Sequence, residues 1–214
     1  FPSREQREAE FQISFKKKLQ SNLFSDESYY FTYTQTSFWQ IYSESAPFRE
    51  SNYQPELLIV KPISNFYINQ LTLAFNHQSN GQPIATSRSW NRLYLQLHKI
   101  YKTGEFDLKF WYRLPEEEKK YASDPDGDDN PDLLDYTGYG EFHFKKKFKN
   151  AVIDSNIRVN PNTGFGSVDL KLLYKASWIN ESYLLIKYFD GYGSSLIDYN
   201  IYTQRIGIGI SITN

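Results

Sequence analysis

Cysteine and methionine are both missing from the 214 residues. The lack of cysteine rules out disulfides, but it fits an oxidising compartment as well as it fits chance and so says little about location. No apolar run reaches the ~18 residues that a membrane-crossing helix needs, and the mean hydropathy is −0.62. Transmembrane helices are thereby excluded. A membrane β-barrel is not, because its strands are apolar on one side only. An excess of either charge is also lacking, since 24 Lys and Arg face 25 Asp and Glu for a formal net charge of −1. There is no case for nucleic acid as a partner, whose binding needs a basic electrostatic footprint. The opening Phe1-Pro2-Ser3-Arg4-Glu5 does not have the form of a signal peptide, so an exported protein would already have lost its leader.

What is abundant is aromatic: 18 Tyr and 16 Phe, with Trp, make 18% of the chain. Such residues favour strands over helices, and the length suits a single all-β domain over residues 1–214. Period-2 segments recur throughout, at 7–18, 28–41, 52–63, 66–78, 89–101, 105–114, 136–148, 151–160, 165–175, 181–190 and 198–212. No helix is required anywhere. Longer loops at 42–51, 79–88, 115–135 and 191–197 interleave with tight turns such as Ser64-Asn65 and Lys102-Thr103-Gly104. Long loops on one rim and short turns on the other are the habit of antiparallel transmembrane barrels.

The faces of these strands agree. Phe11, Ile13, Phe15, Ile153, Ile157, Val159, Val168, Leu170 and Leu172 would form a lipid-facing belt, while Gln12, Ser14, Lys16, Asp154, Asn156, Arg158, Asp169 and Lys171 suit a polar interior. Trp39, Trp90, Trp111 and Trp178 near strand ends would suit interfacial girdles. A soluble barrel with an apolar inside remains the alternative.

Chemistry concentrates in one hairpin. On a strand successive side chains alternate faces, so Leu71, Leu73, Phe75, His77 and Ser79 share one side, and Asn91 shares the side of Leu93, Leu95 and Leu97. Polar groups on an apolar face are costly and need a reason. A serine nucleophile needs a base within reach, and the base needs a third group to fix its tautomer. His77 and Ser79, at i and i+2, have Cα atoms ~6.6 Å apart on a strand. Asn91 can orient the imidazole without adding a buried charge. The bland reading of H-x-S is a solvated rim histidine beside an incidental serine, as on a passive porin or scaffold barrel.

Other candidates carry less. His98 and His143 share parity with polar neighbours and read as interior residues. The loop Asp124-Pro125-Asp126-Gly127-Asp128-Asp129-Asn130-Pro131-Asp132 has its glycine misplaced for an EF-hand and lacks the twelfth-position glutamate, so it reads as a solvated acidic loop. Gly191-Tyr192-Gly193-Ser194-Ser195 lacks the spacing and context of a nucleophile elbow and reads as a turn.

Asn76-His77-Gln78-Ser79-Asn80-Gly81, followed by Thr86-Ser87-Arg88-Ser89-Trp90-Asn91-Arg92-Leu93-Tyr94, closely resembles the active-site hairpin of the bacterial outer membrane phospholipase A family. Further resembling segments are 33–40, 47–55, 129–132 and 191–200, so the likeness covers nearly the whole chain. The resemblance implies a twelve-stranded barrel in the bacterial outer membrane, of which eleven strands are visible, with the first expected before Phe1. It implies Ser79 as nucleophile, His77 as general base, Asn91 as its orienter and the Gly81 amide as oxyanion donor. The implied reaction is calcium-dependent hydrolysis of phospholipid acyl esters, with A1, A2 and lysophospholipase activities. The implied active form is a homodimer among the lipids of the outer membrane. Its calcium ligands would be the carbonyl of Gln82, Ser87, and Ser45 from the partner subunit, and Gln35 would lie in the dimer interface. Gln82 replaces the family's usual arginine, which a backbone ligand tolerates, and 82–85 lacks the aspartate of a secondary calcium site.

Overall fold

The computed structural model describes residues 7–64, 67–121, 124, 126–175 and 182–212. Asn65 of the expected 64–65 turn and Trp178 lie outside them. Among the described residues are eleven strands: β1 (Ala9–Ser21), β2 (Ser28–Trp39), β3 (Phe48–Pro62), β4 (Gln70–Ser79), β5 (Ser89–Tyr101), β6 (Gly104–Arg113), β7 (Gly140–Lys147), β8 (Ala151–Val159), β9 (Gly166–Tyr174), β10 (Ser182–Gly191) and β11 (Thr203–Ile212). One short helix, α1 (Leu133–Thr137), lies between β6 and β7.

Every strand pairs antiparallel with its sequence neighbours in a single sheet ordered β1 to β11. The sheet curls on itself. Lys187 Nζ of β10 meets Glu10 Oε1 of β1 at 2.6 Å, and Arg205 of β11 meets Glu8 at 3.1 Å, although no ladder joins β1 to β11 among the described residues. This is the fold expected of an antiparallel membrane barrel.

Strand alternation decides which solvent each face tolerates. Phe11, Ile13, Phe15, Leu73, Phe75, Leu93, Leu95 and the isoleucines 206, 208, 210 and 212 point outward and are exposed. Each such side chain left in water would forgo about 1.5–3 kcal/mol of burial free energy, so hydrocarbon is the medium that suits this surface. The inward positions carry Glu56, Asn76, Arg92 and Tyr94, where Glu56 accepts hydrogen bonds from Asn76 Nδ2 at 3.0 Å and the Tyr94 hydroxyl at 2.8 Å. Apolar outside and polar inside is the reverse of a soluble barrel, and that alternative is set aside. His98 and His143 also face the lumen, both on Asp107 at 2.6 and 2.8 Å.

Three expectations need correction. Trp90 and Trp111 are not girdle residues: only 2% and 6% exposed, they flank the Arg92 guanidinium at 4.1 and 5.0 Å inside the lumen. Trp90 has the parity of Arg92 and Tyr94, which is the inner one, so nearness to a strand end misled. Trp39 does lie on the outer rim, stacked on Phe48 at 5.7 Å. A helix does form, where 136–148 was expected to begin a strand. One turn, closed by Thr137 Oγ1 on the Leu133 carbonyl at 3.0 Å, buries Leu133 and Thr137, and it is too short to leave a 3.6-residue pattern. Finally β11 starts at Thr203, because the chain before it turns inward at Asp198 and Tyr199, with Tyr199 buried and Asp198 held by Arg49 at 2.7 Å.

These last two departures close one end of the barrel. Leu133, Leu196 and Tyr199 pack on Trp90, Tyr94 and Trp111, while the Tyr199 hydroxyl donates to Asp132. Leu196 N and Ile197 N donate to Asn52 and Glu50 of β3 at 3.1 and 2.8 Å. The described residues of 40–47, 80–88, 114–139 and 192–202 thus form a packed rim, and the opposite end has connections as short as 102–103 and 148–150.

Candidate active site

The β4–β5 hairpin ends at the packed rim with His77 directly opposite Asn91 and Ser79 opposite Ser89. Directly opposed strand residues bring their Cβ atoms to about 4.5–5.5 Å, so the side chains can meet. His77 Nδ1 and Asn91 Oδ1 are 2.9 Å apart. A carboxamide oxygen only accepts, so Nδ1 carries the hydrogen and Nε2 keeps its lone pair. Ser79 lies two residues along on the same outward face, and all three side chains are half-buried beside the exposed Phe75 and Leu93. No hydrogen bond joins Ser79 to His77 here. Contacts of this kind often tighten only when substrate arrives.

Asn91 has a second partner, because its Nδ2 donates to Glu116 Oε1 at 3.1 Å. Burial, and then the neighbouring Asp128, hold the Glu116 carboxyl above its ordinary range, with the Asn91 hydrogen bond pulling the other way.

Residues 80–88 are shaped by Asn80, which is almost fully buried. Its Nδ2 donates to the Thr86 carbonyl at 2.9 Å and to Glu50 Oε1 at 3.3 Å, and its Oδ1 accepts from Arg88 N at 2.9 Å and Gln82 N at 3.3 Å. Glu50 has no exposed surface and also accepts from Asn52 and Ile197, so Asn80 ties this loop to the interior. Gly81, next to it, has φ +59, and a Cβ there would fall 3.2 Å from the Tyr53 ring. Glycine is the residue that takes this left-handed conformation without penalty. No hydrogen bond within the described chain takes up its N–H, leaving a donor beside Ser79.

Ser87 donates to Asp129 Oδ2 at 2.5 Å, and Lys119 pairs with the other carboxylate oxygen at 2.5 Å. Asp128 is bound by Arg113 at 2.6 Å. The acidic loop is therefore only partly solvated, where its composition suggested solvation throughout; Asp126 is exposed, but Asp128 and Asp129 are tied to Arg113, Lys119 and Ser87. An all-oxygen pair of hydroxyl and carboxylate suits a hard cation such as calcium, which takes about 6–8 oxygen ligands. Among the described residues no group of three or more His, Cys, Asp or Glu could hold a metal, so any calcium here would rest on hydroxyl and carbonyl oxygens. Ser45 lies exposed at φ 61 in residues 40–47, with no hydrogen bond to residues 80–88. Gln35 is on the outer face of β2, accepting from the Tyr33 hydroxyl at 3.0 Å and donating to Ser37 at 3.1 Å.

Glu116, Asn80, Glu50 and Asp129 were not singled out by sequence. Glu116 sits in a run of three glutamates, and only the fold distinguishes it from the exposed Glu117 and Glu118.

Known proteins share this arrangement of strands and sequence. The Phospholipase A1 family matches residues 2–212. A relative from Neisseria meningitidis serogroup B is 35% identical over 98% of this chain, which spans 56% of that protein's length. Phospholipases A1 from Klebsiella pneumoniae and Escherichia coli K12 are 34% and 33% identical over 97% of the chain, which spans 71% and 70% of theirs. Among solved structures, the outer membrane phospholipase A of Escherichia coli has a TM-score of 0.86 and 33% identity, covering 97% of this chain and 79% of that one. A Salmonella typhi outer membrane phospholipase, a dimer with bound calcium, matches with the same TM-score, identity and coverage.

Proposed function

This chain belongs to the phospholipase A1 family, and on that premise we propose that it hydrolyses acyl esters of phospholipids and lysophospholipids through a Ser79-His77-Asn91 triad on the lipid-facing wall of an outer membrane barrel. The observation that carries the reading is the His77–Asn91 hydrogen bond at 2.9 Å on the outward face, with Ser79 beside it. In this reading Ser79 Oγ attacks the ester carbonyl while His77 Nε2 takes its proton, and the imidazolium is held by Asn91. The oxyanion lies within reach of the free Gly81 N–H. Collapse expels the alcohol with the proton from His77 and leaves an acyl-serine, which water hydrolyses with His77 again as base.

Calcium, when bound, supplies a Lewis-acidic charge next to the developing oxyanion. The carbonyl of Gln82, the Ser87 hydroxyl and the partner subunit's Ser45 would hold it, with Asp129 behind Ser87. Because one of these ligands would come from the partner, pairing of two barrels through the Gln35 face would complete the site and switch activity on. The Salmonella typhi relative's calcium-bound dimer supports this reading. A passive pore fits less well, since Trp90, Arg92 and Trp111 fill the lumen beneath the packed rim.

The test is Ser79→Ala. It should lower ester hydrolysis by more than ~10³-fold while the barrel keeps its folded electrophoretic mobility, and turnover that survives the substitution would end the proposal.

A further inference from the structure

We propose that Glu116 is a positioning residue of the site: by accepting the Asn91 Nδ2–H at 3.1 Å it fixes which end of the carboxamide faces His77. This rests on the triad reading above. A carboxamide is nearly symmetric in shape but not in chemistry. Rotated by half a turn, Asn91 would present N–H to His77 Nδ1, force the proton onto Nε2 and leave Ser79 without a base. An ionised carboxylate can only accept, so it selects the amide end and leaves Oδ1 to His77.

The backbone places Glu116 for this role. Leu114 N donates to the carbonyl of Asn91 itself at 2.8 Å, extending the β5–β6 register by one residue, and Pro115 restricts the step to Glu116. Arg113, Asp128 and Asp129 are the other charged groups around it.

The experiment uses the full chain in detergent micelles with a short-chain ester at saturating calcium. E116A should lower kcat about tenfold, the loss expected for a hydrogen bond to a charged acceptor, with KM and the calcium midpoint unchanged. E116Q, whose carbonyl can still accept from Asn91, should restore most of that loss. A third comparison separates positioning from folding. N91D sets two carboxylates against each other, so adding E116Q should raise the activity of N91D although E116Q alone gives no gain. The proposal fails if E116A stays within twofold of the parent, if its defect lies in the calcium midpoint, or if E116Q does not relieve N91D. Inactive S79A alongside unimpaired E116A would refute the role of Glu116 and leave the triad reading intact.

Discussion

Replacing Asn80 with alanine should disarm the site without unfolding the barrel. The side chain makes two hydrogen bonds of 2.9 Å and two of 3.3 Å, all to groups that position residues 80–88. Taking about 1 kcal/mol net for each short bond and half that for each long one, the substitution removes about 3 kcal/mol from the loop's hold on its conformation. At a factor of ten per 1.4 kcal/mol, the fraction of molecules with Gly81 and Ser87 correctly placed would fall by up to about a hundredfold. The β ladders do not pass through Asn80, so their contribution to stability is untouched. Hydrolysis of a micellar ester should therefore drop ten- to a hundredfold in kcat, and more calcium should be needed for half-maximal rate, while heat-modifiable mobility on gels stays that of the parent. Activity within twofold of the parent would show that this loop does not organise the chemistry. Loss of the folded gel form would show that Asn80 supports the barrel instead.

Further outcomes follow from the same geometry. Asp129→Asn, by weakening the group behind Ser87, should raise the calcium concentration for half-maximal hydrolysis about tenfold and leave the rate at saturating calcium nearly unchanged. Calcium titration of both proteins reads this directly. Glu56→Ala strips acceptors from Asn76 and Tyr94 inside the lumen and should cost about 1.5–3 kcal/mol, seen as a lower urea midpoint by tryptophan fluorescence, with Glu56→Gln milder. At the opposite rim, Glu27 is lowered from 4.5 to about 2, first by the Phe24 N–H and then by Ser25. A depressed carboxyl contributes stability that is complete above its unfolded value and is lost as pH falls through its folded one. Protection of the Phe24 and Ser25 amides against hydrogen exchange, corrected for intrinsic rates, should thus hold down to about pH 4.5 and disappear towards pH 2. E27Q should lack that step.

How much of this could be read before the fold was known depended on periodicity. The strand expected at 89–101 is β5 to the residue, because outward leucines alternate with inward polar and aromatic side chains along its length. The same parity put His77, Ser79 and Asn91 on one face, which is where they lie. Parity ignored at Trp90 and Trp111 produced an error in the opposite direction. The loops were opaque for a different reason. Asn80, Asp129 and Glu116 reach partners as far as 30, 42 and 25 residues away in sequence, and no local pattern announces such contacts. A single helical turn such as α1 is likewise shorter than any repeat that could reveal it.

The packed rim has a consequence for traffic. Leu133, Leu196 and Tyr199 pack across one end of the lumen, and with the proposed triad on the outside wall a substrate or fatty acid would not need a route along the barrel axis. On that proposal molecules would come and go sideways, by diffusion within one leaflet. Under the proposed function the rate in a cell would then depend on which lipids populate that leaflet and how often two barrels meet in its plane.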